Sequence, residues 1–233
     1  MNYFVTGTDT DSGKTLISSA ILCKRLRTSP KHNTLGLKPI ASGCEKTAEG
    51  LRNSDALNLI SQSSIKLDYQ FINPFSFLPA IAPHIAAEQT EIDISPAEVL
   101  AQLKLSLQSA ELASKDTCLI EGAGGWRLPL GEGKFLSEVV AALDLPVILV
   151  VGVKLGCLNH AVLTQESILG DGLKVAGWVA NIVEPDTACL EENLASLSAL
   201  MHAPCLGVVP YLQDASAENA ADFLELEHVF FDD

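Results

Sequence analysis

Two apolar patterns alternate along the chain. Short, near-continuous apolar runs occur at Tyr3 to Val5, Thr34 to Leu37, Thr117 to Ile120, Pro146 to Val153, Val175 to Val183 and Cys205 to Val209. Runs of this length read as strands, and the most continuous of them as strands covered on both faces of a parallel sheet. Between them the apolar spacing lengthens to the helical period. Leu16, Ile17, Ala20 and Ile21 continue as far as Lys24 and Arg25, and Pro30 marks the break. Ser95-Pro96-Ala97-Glu98 has the pattern of a capping box with proline at the first helical position. It predicts a helix through Val99, Leu100, Leu103 and Leu107 to about Ala113. Further helices are expected from Glu138 to Leu143 and from Thr187 to Met201. Asn73 to His84, with Pro74, Pro79 and Pro83, reads as a long irregular connection of the kind that often carries function. Strands alternating with helices predict an α/β fold, a doubly wound, mostly parallel sheet flanked by helices. A length of 233 residues is enough for one sizeable core, so residues 1–233 are expected to form a single domain.

Charge narrows the partners. The formal net charge is -14, which repels nucleic acid and anionic membrane surfaces alike. Leu145 to Val153 is the longest clean apolar run, and it falls far below the ~20 residues of a spanning helix. The N-terminus enters strand and loop without the basic, apolar and cleavable parts of a signal peptide, so a cytoplasmic protein is expected. Six cysteines, at 23, 44, 118, 157, 189 and 205, include no C-x-x-C pair and read as reduced thiols; Cys44 and Cys157 fall in loops near the expected site.

The candidate chemistry begins where the first strand ends. Gly7-Thr8-Asp9-Thr10-Asp11-Ser12-Gly13-Lys14-Thr15 joins an apolar strand to a helix N-terminus. Such a turn aims backbone N–H groups and the positive end of the helix dipole at an anion. Lys14 directly after Gly13 would reach the β- and γ-phosphates of a nucleoside triphosphate, and the Thr15 hydroxyl would ligate Mg²⁺. Five residues rather than four separate Gly7 from Gly13, so the loop is one residue roomier than the standard P-loop spacing.

Other polar groups fall at the carboxyl ends of predicted strands, the edge where open parallel sheets bind ligands. Lys38 follows Thr34 to Leu37 and either meets the phosphates opposite Lys14 or is a solvated strand-end lysine. Asn53-Ser54-Asp55 precedes Ala56, Leu57, Leu59 and Ile60. Asp55 is either a first-turn residue of a capped helix or a carboxylate ligand for a metal beside Thr15. Glu121 closes the run from Thr117, immediately before Gly122-Ala123-Gly124-Gly125-Trp126, and matches the second metal-binding element of P-loop proteins with glutamate in place of aspartate. Lys154-Leu155-Gly156-Cys157-Leu158-Asn159-His160 follows the strand from Pro146. His160 there reads as a first-turn helix residue without a catalytic role.

Taken together, GTDTDSGKT, Lys38-Pro39 with Ala41-Ser42-Gly43, Gly50 to Leu57, Glu121 to Trp126, Val147 to His160 and Gly177 to Asn181 resemble the dethiobiotin synthetase family over nearly the whole chain. The resemblance implies a P-loop NTPase-type ligase of biotin synthesis that uses ATP, CO2 and Mg²⁺ to close 7,8-diaminopelargonic acid into dethiobiotin. It implies Lys14 and Lys38 as catalytic, and Thr15, Asp55 and Glu121 as metal ligands. The nucleotide would be held by Asp11, Ser12, Gly13, Lys14, Thr15 and Leu16, by Asp55, and by Glu121, Gly122, Ala123 and Gly124. Near the base it implies Asn181, Ile182, Pro210, Tyr211, Leu212 and Glu218. An extra residue before position 218 leaves Glu218 and Asn219 exchangeable in that role. Ser42, Lys154, Gly156, Cys157 and Asn159 would contact substrate, the last four across the interface of a homodimer. Asp11-Ser12 departs mildly from the family's loop without touching a mechanistic residue.

Readings from other classes lack parts. A partition-type switch ATPase would carry an additional lysine early in the loop, where this chain has Thr8-Asp9-Thr10, and would need a DNA-binding patch. An amidotransferase-type synthetase needs a further domain with a catalytic cysteine and histidine. A GTP switch needs Asn-Lys-x-Asp, and the chain has no such element.

Overall fold

In a computed structural model of the chain, residues 1–114 and 116–230 are described. The chain opens with β1 (Asn2–Gly7), the phosphate-loop segment and α1 (Lys14–Thr28), then β2 (Thr34–Leu37). A region of small elements follows: β3 (Ile40–Ala41), the hairpin of β4 (Glu45–Thr47) and β5 (Gly50–Arg52), α2 (Ser54–Ser61), α3 (Tyr69–Ile72) and β6 (Phe75–Ser76). Next come α4 (Pro83–Thr90), α5 (Pro96–Ser109), β7 (Thr117–Gly125), and the hairpin of β8 (Pro129–Gly131) and β9 (Lys134–Phe135). The remainder is α6 (Leu136–Ala142), β10 (Val147–Val153), α7 (Cys157–Gly170), β11 (Val175–Ile182), α8 (Leu190–Leu200), β12 (Cys205–Val209) and α9 (Ala217–Ala221).

Six strands form one parallel sheet in the order β12-β11-β10-β1-β7-β2. The chain leaves β1 toward the β7–β2 side and later crosses to β10 on the other. The strand order therefore reverses around β1, and a crevice opens at the carboxyl ends of the strands where the loop emerges. Alternation along the strands sorts the core. Tyr3 and Val5 pack with Ile17 and Ile21 of α1 and Ala220 of α9, while Phe4 packs on the opposite face with Val99, Val139 and Ile120. Beyond β10, Leu149, Val151 and Val153 join Ala161, Trp178 and Leu197 in a third cluster.

The expected strands and helices form, with differences at several ends and caps. The strand expected to end at Glu121 continues to Gly125, because its pairing with β1 resumes past a bulge at Gly7↔Gly125. The helix expected to reach Ala113 ends at Ser109, and the one expected from Thr187 begins at Leu190. Only half of the Ser95 capping box is made: Ser95 Oγ accepts the Glu98 N–H at 3.4 Å, but the Glu98 carboxylate accepts from Gln102 instead, at 2.9 Å. Finally, the stretch expected to be irregular contains β6 and the first turn of α4.

Candidate functional site

The loop between β1 and α1 is fixed from both sides. The Thr8 N–H donates to the Val150 carbonyl at 3.0 Å, and the Thr8 hydroxyl accepts from the Gly152 N–H at 3.2 Å, so the loop is pinned to β10. Asn181, at the end of β11, donates through Nδ2 to the Ser12 carbonyl at 3.0 Å. Asp11 and Gly13 have φ of 59° and 87°. Left-handed residues in a turn create the concave arrays of N–H groups that hold anions. Gly13 has no substitute here, because an added Cβ would lie 2.0 Å from Asn181 Nδ2 in addition to the positive φ. Lys14 Nζ bridges the loop to the Asp9 carbonyl at 2.9 Å. Burial, then the nearby Lys38 ammonium, lowers the Lys14 pKa to about 8, although Glu121, Asp55 and Asp11 pull it upward.

Across the crevice stands a compact charged group. Lys38 Nζ donates to Glu121 Oε1 at 2.7 Å and to the Gly122 carbonyl at 2.9 Å, and lies 3.1 Å from Asp55 Oδ2. The Thr15 hydroxyl donates to the same Glu121 oxygen at 2.8 Å. Lys38 is 3% exposed and Glu121 is 0% exposed. Burial alone would lower the Lys38 pKa, but the Glu121 and Asp55 carboxylates outweigh it and raise the pKa, so the ammonium stays charged at neutral pH. Glu121 is thus delivered by the interior of β7 rather than by its end, and Asp55 by the first turn of α2. Asn53 caps that helix, its Oδ1 accepting from the Asp55 and Ala56 N–H groups at 3.1 and 3.3 Å. Asp55 is at once a first-turn residue and a neighbour of Glu121, so the two readings of its role are compatible.

One cleft of about 700 Å³ is lined by Asp11, Gly13, Lys14, Thr15, Leu16, Lys38, Ser42, Asp55, Ala123 and Gly124 among others, with Glu121 fully buried behind Lys38 and Thr15. Thr15 and Leu16 also line a second groove of about 300 Å³, bounded by Gln62 and Glu218. Glu218 accepts from Gln62 Nε2 at 3.1 Å, whereas Asn219 turns away to Asp214. Ser12 and Asn181 are buried behind the loop, Ile182 closes the same strand end, and Pro210, Tyr211 and Leu212 follow β12. Lys154, Gly156, Cys157 and Asn159 are not among the residues lining the cleft. Asn159 and Gly156 are exposed at the start of α7, and Cys157 is buried in the third core cluster, so its thiol does not face a ligand in this protomer. Cys44 is likewise buried.

A magnesium ion fits the donor set. Thr15, Asp55 and Glu121 offer hard oxygen atoms, and Glu121 Oε2 is buried without a hydrogen-bond partner. Among the described residues no group of three or more His, Cys, Asp or Glu could hold an ion alone.

Sequence reasoning marked Asn73 to His84 only as a connection that often carries function, without naming Ala80, Ile81, Ala82 and Pro83, which form the α4 end of the cleft. Pro83 at the first helical position, followed by Ile85, Ala86 and Ala87, was the available signal. It also missed α3 and the β4–β5 hairpin, which are too short to show a period.

Similarity to known proteins agrees with this geometry. A family model described as an AAA domain matches residues 1–219. The ATP-dependent dethiobiotin synthetase BioD of Pseudomonas aeruginosa strain UCBPP-PA14 is 51% identical over 226 residues, 96% of each chain. That of Cellvibrio japonicus is 50% identical, covering 96% of this chain and 95% of its own. The chain belongs to the dethiobiotin synthetase family. The BioD of Vibrio cholerae extends the similarity at 43% identity, over 97% of this chain and 95% of its own. Among solved structures, a ParA family ATPase from Chlorobium tepidum superposes with a TM-score of 0.55 at 14% identity, over 98% of this chain and 92% of its own. A MinC:MinD cell division complex from Aquifex aeolicus gives 0.55 at 14% identity, over 94% and 86%. At that identity the likeness concerns the fold, a P-loop α/β architecture, and nothing further.

Proposed function

We propose that this protein is a ligase that converts 7,8-diaminopelargonic acid, CO2 and ATP into dethiobiotin, ADP and phosphate. One observation carries the reading: in a member of this family, two lysines, the Thr15 hydroxyl, the Asp55 carboxylate and Ser42 line a single cleft beside a phosphate-binding loop, with Glu121 buried directly behind Lys38 and Thr15. One substrate amine adds to CO2 to give a carbamate. A carbamate oxygen attacks the γ-phosphorus with ADP leaving, and the second amine attacks the carbonyl carbon of the mixed anhydride, expelling phosphate and closing the cyclic urea.

Each residue has a place in that sequence. The loop amides of Asp11 to Thr15, with Leu16, hold the phosphates, and Lys14 neutralises them. Lys38 approaches from the opposite wall and stabilises the negative charge that spreads over the transferring phosphoryl and carbamate oxygens. Thr15, Asp55 and Glu121 would hold Mg²⁺, which supplies charge neutralisation to the phosphates. Gly122, Ala123 and Gly124 let the backbone approach the reacting groups. Ser42 contacts substrate. Asn181, Ile182, Pro210, Tyr211, Leu212 and Glu218 surround the base, with Glu218 preferred to Asn219 because it borders the groove beside Leu16. Residues 1–233 act as one P-loop unit in a cytoplasmic homodimer, in which Lys154, Gly156, Cys157 (through its main chain) and Asn159 of each subunit complete the partner's substrate site. The exposure of Gly156 and Asn159 outside the cleft supports that assignment.

Incubation of the purified protein with diaminopelargonate, bicarbonate, ATP and Mg²⁺ should yield the cyclic urea by mass spectrometry, with one phosphate released per product. Phosphate release that ignores diaminopelargonate, with no cyclic urea formed, would defeat the proposal.

A further inference from the structure

Lys38 stands one residue beyond the end of β2, where the sheet ladder no longer holds its backbone. Its main-chain groups are satisfied by α3 and the residue that ends it. The Lys38 N–H donates to the Ile72 carbonyl at 2.9 Å, and the Lys38 carbonyl accepts from Asn73 Nδ2 at 2.6 Å. Asn73 is 2% exposed, and its side-chain oxygen is also in use: Oδ1 accepts from the Tyr69 hydroxyl at 3.0 Å and from Ser76 Oγ at 2.7 Å. The Tyr69 oxygen in turn accepts the Asn53 N–H at 2.8 Å. Asn53 caps α2, and two residues on is Asp55. A hydrogen-bonded chain, buried at Asn73 and part-buried at Tyr69, therefore runs from the backbone of Lys38 to the cap of the helix that presents Asp55. Tyr69 is held from its other side by the Arg52 guanidinium, 4.2 Å from the ring centre.

We propose that Asn73 and Tyr69 are positioning residues that keep the Lys38 ammonium and the Asp55 carboxylate in register with Glu121. Neither residue lines the cleft, so neither is placed to touch the nucleotide, and any effect on the reaction must pass through the groups they hold. The Lys38–Asp55 contact joins two separate segments; direct packing of Leu59 on Gly36 and the Ser63 hydroxyl hold the body of α2 to β2, and the Asn73–Tyr69 link ties its first turn to the end of β2. A satisfied, largely buried network of this kind rigidifies what it connects, and an offset of about 1 Å in a charge-stabilising group can cost on the order of 100-fold in rate. The inference rests on the ligase reading above, and it assigns a role to the small elements between β2 and α4.

The test is a mutant cycle on the full chain with Asn73→Ala, Lys38→Ala and the double variant. Asn73→Ala should lower kcat about 30-fold while KM for ATP stays within about threefold, and in the Lys38→Ala background it should cost less than about threefold in kcat. A loss that multiplies undiminished in the Lys38→Ala background would overturn the proposal, because it would mean a route independent of Lys38. Should Asn73→Ala fail to fold, Asn73→Ser replaces it in the same cycle, with about a tenfold loss expected. A readout apart from turnover is Mn²⁺ binding in the presence of ADP, followed by electron paramagnetic resonance. Tyr69→Phe should weaken it at least about threefold through Asp55, and unchanged affinity would overturn the link to α2. Absence of cyclic urea from the unaltered protein would defeat the ligase reading, while the Mn²⁺ comparison would still decide the positioning role.

Discussion

Lys14 and Lys38 face the same cleft, yet their ammonium groups are moved in opposite directions. Lys38 is surrounded by Glu121 and Asp55 and its pKa rises, whereas Lys14 is buried beside a second cation and drops to about 8. A residue whose folded pKa falls below its unfolded value destabilises the fold where both states are protonated, and the penalty is relieved as pH rises between the two values. For Lys14 that window runs from about 8 to the unperturbed 10.5. Lys14→Met should therefore make the ligand-free protein more stable at pH 7, by about 1–3 kcal/mol. Urea denaturation should show the gap closing between those two pH values, and a gap independent of pH would refute this account. The same substitution should abolish tight ATP binding. The chemistry of both lysines was legible in the sequence from their neighbours, Gly13-Lys14-Thr15 and the strand end before Lys38. Their mutual repulsion and their different carboxylate surroundings were not, because those depend on which segments lie side by side.

Among the elements, α2 carries the clearest division of labour. Its amphipathic face buries Ala56 and Leu59, its first turn presents Asp55, and Asn53 satisfies two of its otherwise orphaned N–H groups. Asn53→Ala should cost about 1 kcal/mol of stability, and Asn53→Asp should restore most of it, since either carboxamide or carboxylate oxygen can cap. Equal destabilisation by both variants in urea would show that the cap is not what Asn53 contributes. This helix start was readable from Asn53-Ser54-Asp55 ahead of an apolar run. The continuation of β7 through Gly122 to Gly125 was not: glycines after a carboxylate read as a turn, and only pairing with β1 across a bulge keeps them extended. The helix α3 was equally invisible. Four residues, Tyr69 to Ile72, contain too little periodicity to distinguish helix from loop.

At the scale of the whole molecule, the parallel order β12-β11-β10-β1-β7-β2 gathers the ends of β1, β2, β7, β10 and β11 at one edge. Residues as distant in sequence as Ser12 and Asn181 meet there. The start of α7 belongs to that edge but opens outward, with Leu155 100% exposed beside Gly156. If each substrate site is shared between two subunits, mixing Lys38→Ala chains with Asn159→Ala chains should restore activity. In an equal mixture half the dimers are mixed and each has one intact site, so recovery should approach about a quarter of the unaltered activity. No recovery after exchange of subunits would place the whole site within one protomer. Among the described residues no helix is long and apolar enough to cross a membrane. The net charge of -14 makes nucleic acid an unfavourable partner.

The sequence by itself determined the alternation of strand and helix, the phosphate loop and the set of polar residues that would be used, because these are local: a period, a glycine where a turn needs one, a lysine next to a threonine. Tertiary structure alone decided which of those residues touch. It joined Lys38, Asp55, Thr15 and Glu121 through β2, α2, α1 and β7, separated the α7 residues from the cleft, and tied Asn73 to the backbone of Lys38. The reason is physical. Contact between distant segments is set by strand order and by satisfaction of buried polar groups across the whole core, and neither leaves a periodic mark on the chain.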